Sequence, residues 1–351
     1  MGRPEREVRR NPAAILYQPP GVGARRRERC LRALIPFMLT GKIRWLVIGI
    51  GDITRRRVIP AILQERRSRL HAVLTRHPDK AGAYPGVVVY TSLDEALSDP
   101  DIDAVYVASP VALHAPQTIA SLRAGKHVLC EKPMAMNYAQ AMEMVAEAQS
   151  RGKLLGVAYY RRLFPKLLRA KDLIAGGAIG QPVLAEANCH GWLPSKDRAW
   201  LLDPSMAGGG PLYDIGSHRI DALNFLFGAP RRAIGLLSNV VHRLAVEDSA
   251  TVLVEYESGV RGVVDVRWNS RLERDQFRII GVEGELDLNP LSGPELRYAG
   301  KTECWPAHPN VHYPAVENFA SAVLDGSPLA CSGEDASWTD WVTWQCVTHG
   351  A

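Results

Sequence analysis

Two short stretches of the chain hold residues whose types and spacing could do chemistry. The first, GKHVLCEKPMAMN (125–137), runs an apolar segment into Glu131, Lys132 and Pro133. The second, GGGPLYDIGSHRID (208–221), carries Asp214, His218 and Asp221 at i, i+4 and i+7, on one face of a helix. Imidazole titrates near neutral pH, so His218 suits proton transfer at an oxygen. A lysine ammonium at the same oxygen stabilises developing alkoxide charge, the part open to Lys132. Asp214, one turn from His218, can orient the ring or a substrate hydroxyl. Pro133 biases Lys132 away from helical geometry, which ends the apolar segment and aims the side chain outward. Duller readings compete. An isolated Asp/His pair at this spacing is usually a solvated helix face. The three groups could also hold a divalent metal, but no second histidine stands at ligand spacing nearby, and no metal is expected.

A third stretch adds a partner for such chemistry. Gly49-Ile50-Gly51-Asp52-Ile53-Thr54 follows the apolar run IRWLVIG (43–49) and opens a helical pattern, the setting of a dinucleotide fingerprint. Gly49 permits the tight turn, and Gly51 lets backbone approach a pyrophosphate at the helix N-terminus. Thr54 takes the place of the expected third glycine. Arg55, Arg56 and Arg57 put three cations in a first helical turn, against the helix dipole. A bound phosphate would remove that conflict; three solvated side chains are the alternative. At the end of the second strand, where an acidic residue would accept from an adenosine ribose, the chain reads Thr75-Arg76. A neutral threonine followed by arginine suits a 2′-phosphate, so NADP(H) is the expected cofactor, with NAD(H) possible.

The elements that must position these residues are legible as two patterns. Apolar runs at 43–49, 70–75, 87–90, 103–109, 127–130 and 153–160 alternate with helical segments at 92–98, 112–124 and 138–149. That alternation predicts a parallel, doubly wound sheet of the Rossmann kind over 42–157, whose ligands bind beyond the carboxyl ends of the strands. From Gln181 onward the pattern changes to consecutive strands at 182–189, 233–241, 250–256, 262–268, 277–281 and 284–289, several joined by glycine turns. An α/β fold with a second, mostly antiparallel open sheet over 158–351 is expected. Across 208–228, Leu212, Ile215, Ala222, Leu223 and Leu226 share the apolar face, with Arg219 an exception on that side. Gly208-Gly209-Gly210 leaves no side chain to obstruct a ligand or a neighbouring segment.

Charge and cysteine usage exclude other classes. The net charge is +5, but residues 1–37 alone carry +6, which leaves −1 for the remainder. A nearly neutral body makes nucleic acid a poor partner. The basic extension over 1–41 is expected to be a disordered tail or sequence upstream of the true start, in preference to a twin-arginine export signal, because Arg32 interrupts its apolar stretch. Six scattered cysteines without C-x-x-C pairing argue against a zinc site or disulfide framework and for a reducing, cytoplasmic setting. No apolar run approaches a membrane span, so no membrane partner is expected.

The chain resembles the Gfo/Idh/MocA oxidoreductases, named after glucose–fructose oxidoreductase and inositol dehydrogenase. The resemblance runs from about Ile43 to Trp344. It rests on GIGDI with a following Pro60-Ala61, on SPVALHAPQTIASLRAGKHVLCEKP (109–133), on YYRRLFPKLLRAKDLIAGGAIGQP (159–182) and on GGGPLYDIGSHRID. It implies a Rossmann domain, a C-terminal α/β domain whose open sheet serves homo-oligomer contacts, and a nicotinamide cofactor. The implied reaction is hydride transfer at a secondary alcohol or ketone of a sugar, inositol or related cyclic polyol. Lys132 matches the lysine of the EKP signature, and Asp214 and His218 its D-x-x-x-H pair; these three are the expected catalytic and substrate-binding residues. Gly49, Gly51, Asp52, Ile53, Thr75, Arg76, Ser109, His114, Glu131 and Lys132 are the expected cofactor contacts, although His114 also suits ordering the loop after the fourth strand. Arg161 and Trp192 are expected at the substrate; Trp192, Arg198 and Trp200 suit a sugar ring as well as a core or interface. Val111 departs from the family's usual asparagine, and the chain ends at Ala351 inside an expected terminal helix. Two other functions fit the same fold: a dinucleotide-binding sensor without turnover, and a redox-assisted glycosidase with tightly held NAD.

Overall fold

The computed structural model describes residues 41–193 and 196–349; the basic extension at 1–40 and Ala351 lie outside them. Six strands form the first sheet: β1 (Ile43–Ile48), β2 (Ser68–Leu74), β3 (Val88–Tyr90), β4 (Ala104–Val107), β5 (His127–Cys130) and β6 (Leu155–Val157). All pair in parallel, in the order β3-β2-β1-β4-β5-β6. β1, β4 and β5 are aliphatic and almost wholly buried, as a sheet covered on both faces requires. The covering helices include α1 (Ile59–Gln64), α2 (Leu93–Leu97), α3 (His114–Arg123) and α4 (Tyr138–Arg151). The Asn137 side chain caps α4 by accepting the Gln140 N–H at 3.0 Å, and Gly152 ends it in the left-handed region. Strand order reverses between β1 and β4, which opens a crevice at their carboxyl ends.

The second sheet has eight strands: β7 (Pro182–Trp192), β8 (Pro230–Ser238), β9 (Ser249–Tyr256), β10 (Arg261–Arg267), β11 (Asn269–Gly281), β12 (Glu285–Asp287), β13 (Glu295–Tyr298) and β14 (Lys301–Cys304). Their order is β14-β13-β12-β11-β7-β10-β9-β8, antiparallel except where β7 meets β10. β13 and β14 are too short and polar to read in the sequence. β8 stops at Ser238, before the expected 241, because the Asp248 carboxylate captures the N–H groups of Val240, Val241 and His242 at 2.7–3.0 Å. β6 is shorter than its apolar run because Tyr160–Leu163 coils into one tight helical turn. That turn leads into α5 (Pro165–Ala175), followed by α6 (Pro204–Ala207) and α7 (Ser217–Phe227).

Two last helices, α8 (Tyr313–Asp325) and α9 (Gly333–His349), carry the chain back to the first sheet. Val316, Phe319 and Leu324 share a core with Trp45 and Tyr106, while Val342 and Cys346 pack under the second sheet. The first sheet's core therefore draws on residues far beyond 157. Among the described residues, no helix is long and apolar enough to cross a membrane.

α7 differs from the amphipathic helix expected over 208–228, because it is covered on every side from Ser217 to Asn224. Three of its polar residues have partners on other elements. Asp221 takes a forked pair of bonds from Arg162, Arg219 pairs with Asp275 at 2.5 Å, and Asn224 accepts from the Tyr256 hydroxyl at 3.0 Å. The ion pair explains why an arginine can stand on the apolar side.

Candidate active site

β5 ends at Cys130, so its next two residues project from the carboxyl edge of the first sheet. Lys132 reaches across to the second layer, where its Nζ donates to Asp214 Oδ1 at 3.0 Å and to the Asp214 carbonyl at 2.8 Å. An ammonium has three N–H groups, and Asp214 takes two of them. Asp214 sits in a widened turn of the π type, Leu212–Gly216, that feeds directly into α7. The glycines before it are needed for close approach: a Cβ at Gly208 or Gly209 would strike the Tyr213 ring, and one at Gly210 the Glu247 carbonyl. Glu247 then accepts the N–H groups of Gly210 and Leu212 at 2.8 and 3.0 Å.

Electrostatics separates the two acid–base groups. Burial would raise the Asp214 carboxyl, but Lys132 and Arg198 outweigh it and hold the group below the usual carboxylate range. Arg198 lies 3.3 Å from Asp214 Oδ2. His218 is only 7% exposed. Burial, then the charges of Arg161, Lys132 and Arg219, push its imidazole well below the ordinary value of 6.5, so the ring is neutral at physiological pH. Its Nδ1 is buried without a hydrogen-bond partner among the described residues. The ring stands edge-on to Tyr159 and Tyr160, with centroids at 6.0 and 5.1 Å. Arg161 lies over the Tyr160 ring at 5.2 Å and donates to its hydroxyl at 3.0 Å.

The structure brings Lys132, Asp214, His218 and Arg161 into one neighbourhood. Asp221, which shared a face with Asp214 and His218 in the sequence pattern, belongs to a sealed pair with Arg162 instead. Trp192 is exposed; its ring meets His242 edge-on at 4.7 Å, and the Arg271 guanidinium lies 4.1 Å above it. Trp200 is exposed, and of the trio with Arg198 only Arg198 reaches Asp214.

The expected cofactor contacts fall in the turns and first helical residues that follow the carboxyl ends of the parallel strands. Gly49 has φ +91°, and a Cβ there would meet the Ala108 carbonyl oxygen at 3.0 Å, right at the crevice between β1 and β4. Gly51 faces open space, with no atom within 4 Å of a built Cβ. Asp52, Ile53, Arg55 and Arg56 are exposed beside it, while Arg57 is anchored to the Pro309 carbonyl at 2.9 Å. Thr75 is buried and its Oγ1 accepts the His77 N–H at 3.1 Å; Arg76 is exposed. The Ser109 hydroxyl donates to Gln117 at 2.7 Å. His114 bridges two loops, with ring nitrogens 2.9 Å from the Pro133 carbonyl and 2.8 Å from that of Ser109. Burial keeps its pKa low, and a neutral ring donates to one of these at a time. An open glycine turn with exposed guanidinium groups fits a dinucleotide's phosphates.

Glu131 points inward. Its Oε1 accepts from the Tyr106 hydroxyl at 2.8 Å and lies 3.1 Å from His312 Nε2; its Oε2 accepts the Lys132 N–H at 3.2 Å. Tyr106 and His312 carried no local signal, since His312 is 181 residues from its partner.

The chain is similar to known proteins over most of its length. Residues 43–159 match the oxidoreductase family with an NAD-binding Rossmann fold, and residues 167–287 match the GFO/IDH/MocA C-terminal domain. A 1,5-anhydro-D-fructose reductase of Ensifer adhaerens is 33% identical over 310 residues, 84% of this chain and 92% of its own length. A trans-1,2-dihydrobenzene-1,2-diol dehydrogenase of Mus musculus is 31% identical across 75% of this chain and 80% of its own. A 3-ketoreductase from Actinomadura kijaniata, solved with NADP and TDP-benzene, superposes with a TM-score of 0.78 at 27% identity, covering 88% of this chain and 98% of that one.

Proposed function

The chain belongs to the Gfo/Idh/MocA family of NAD(P)-dependent oxidoreductases, and on that premise we propose that it moves hydride between NADP(H) and a secondary alcohol or ketone of a sugar or related cyclic polyol. One observation carries this reading: the Lys132 ammonium is held on Asp214, one helical turn from a buried, neutral His218. When bound, the nicotinamide supplies or accepts the hydride at the substrate carbon. In alcohol oxidation, His218 accepts the hydroxyl proton as a neutral imidazole, and the proton returns by the same route in ketone reduction. Lys132 offers its remaining N–H to the substrate oxygen and stabilises the alkoxide charge. Asp214 holds that ammonium in place, and Arg161 beside His218 contacts a substrate hydroxyl. The turn at Gly49–Gly51 holds the pyrophosphate, with Asp52, Ile53, Ser109 and His114 forming the rest of the crevice wall.

The preference for NADP(H) rests on Arg76, whose exposed guanidinium follows a threonine hydroxyl already engaged by its own turn. The relatives act on a keto-sugar anhydride and a cyclic diol, which supports a cyclic substrate. The outer face of the second sheet leaves Ile234, Leu236 and Leu253 exposed, at 41%, 59% and 43%, and a second copy of the chain would cover it. A cofactor-coupled absorbance screen over sugars, ketosugars, inositols and dihydrodiols tests the function. In single turnover, Lys132→Ala and His218→Ala should bind NADPH yet lose most hydride transfer; normal transfer in both would refute the assignment. A monomer by light scattering would refute the oligomer.

A further inference from the structure

His312 arrives from the loop before α8, far from either motif, and is 2% exposed. Its backbone is pinned where its N–H donates to Asn310 Oδ1 at 3.1 Å. One edge of the ring meets Glu131 Oε1 at 3.1 Å, and one face packs against Tyr160 with centroids at 4.8 Å. Each contact leads on to a proposed catalytic group. The other Glu131 oxygen holds the backbone N–H of Lys132, and Tyr160 stands edge-on to His218. A buried carboxylate needs donors to stay ionised and oriented. Burial would raise the Glu131 carboxyl, but the His312 hydrogen bond and charge, with the Tyr106 hydroxyl, hold it below its ordinary value.

We propose that His312 is a positioning residue: by fixing the Glu131 carboxylate and the Tyr160 ring, it sets both the Lys132 turn and the His218 ring. Removing its Nε2 frees Glu131 to rotate about the shared donor Tyr106, and the peptide carrying Lys132 loses a fixed acceptor. This places Glu131 behind the reaction, as a support for its neighbour. The inference rests on the catalytic reading above for its effect on turnover, but its effect on Lys132 can be read without substrate.

Two amide variants separate positioning from space filling. His312→Gln carries a donor to the place of Nε2, whereas His312→Asn carries one only as far as Nδ1. Lys132 reactivity is measured by timed acetylation with an N-hydroxysuccinimide ester and peptide mass spectrometry; NADPH affinity is measured by fluorescence. His312→Asn should speed Lys132 acetylation about tenfold and lower kcat by about tenfold to a hundredfold, the worth of one hydrogen bond to a charged group. Its NADPH Kd should stay within about twofold and its substrate KM should change little, while His312→Gln restores labelling and kcat to within about threefold. Unchanged labelling in His312→Asn overturns the proposal, as does equal loss in both variants or a loss confined to NADPH binding. Lys132→Ala is run alongside. If it turns over normally, the catalytic reading fails while the labelling result still decides the role of His312.

Discussion

Two ion pairs join the same motif to other parts of the chain, and they are built to different ends. Asp221 meets Arg162 through a fork at 2.7–3.1 Å, with side chains 1% and 5% exposed. Asp214, seven residues earlier, meets Lys132 at 3.0 Å with side chains 10% and 14% exposed. The fork consumes both carboxylate oxygens and leaves no room for a ligand. The Lys132 pair uses a single carboxylate oxygen, and its ammonium keeps an N–H to offer. Planar guanidinium suits the sealed site, and a point-charge ammonium suits the open one. The same pairing chemistry thus seals a carboxylate in one place and leaves an ammonium N–H uncommitted to Asp214 in the other.

The comparison breaks most readily at the sealed pair. Arg162→Ala should destabilise the protein by about 3–5 kcal/mol, because it strands a buried carboxylate. Urea melts followed by circular dichroism would check this, and a loss below about 1 kcal/mol would show that the fork is not structural. Lys132→Ala should do the reverse. It should lower kcat by about a hundredfold to a thousandfold while the same melts shift less than in Arg162→Ala, because Arg198 still faces Asp214. A variant that unfolds before it loses activity would erase the distinction.

Smaller effects sharpen it. Gly210→Ala should cost about 1–3 kcal/mol by driving its Cβ into the Glu247 carbonyl, and should slow turnover only through misplacement of Asp214. Thermal melts with parallel kinetics would separate the two. For pH, the His218 ring binds a proton less readily folded than unfolded. As pH falls below about 6.5 the unfolded chain takes up that proton while the folded chain does not, so stability should fall with falling pH across that window. The slope should become shallower in His218→Gln, measured by melts between pH 5 and about 7, while His114 and His127, also held low by burial, keep the remainder. The least effect is expected at Arg76: Arg76→Ala should raise the KM for NADPH about tenfold and leave NADH unchanged, in line with one lost charge contact to phosphate. A clear NADH preference, untouched by the substitution, would end the case for NADP(H).

The motif residues themselves were legible early. Short apolar runs, each followed by a polar or glycine-bearing turn, define the parallel sheet and put Gly49, Thr75, Ser109 and Lys132 at strand ends. Local signals failed where a partner lies far away in the chain. Arg219 looked misplaced until Asp275 supplied its charge, and Asp221 looked solvated until Arg162 closed over it. Trp192 keeps an exposed ring that meets His242 edge-on and lies under the Arg271 guanidinium, partners far along the chain. The Gly208–Gly210 run could have cleared space for a ligand; its neighbours are Tyr213 and Glu247.

By itself the sequence determined the alternating parallel layer, the second strand-rich layer, the glycine turn and the two polar motifs, because these depend on periodicity and on residues adjacent in the chain. Tertiary structure alone decided that Lys132 bonds to Asp214, that His218 is buried among cations and kept neutral, and that His312 meets Glu131 and Tyr160. Pairing, burial and field strength depend on distances between segments as much as 181 residues apart, and no local pattern encodes those distances.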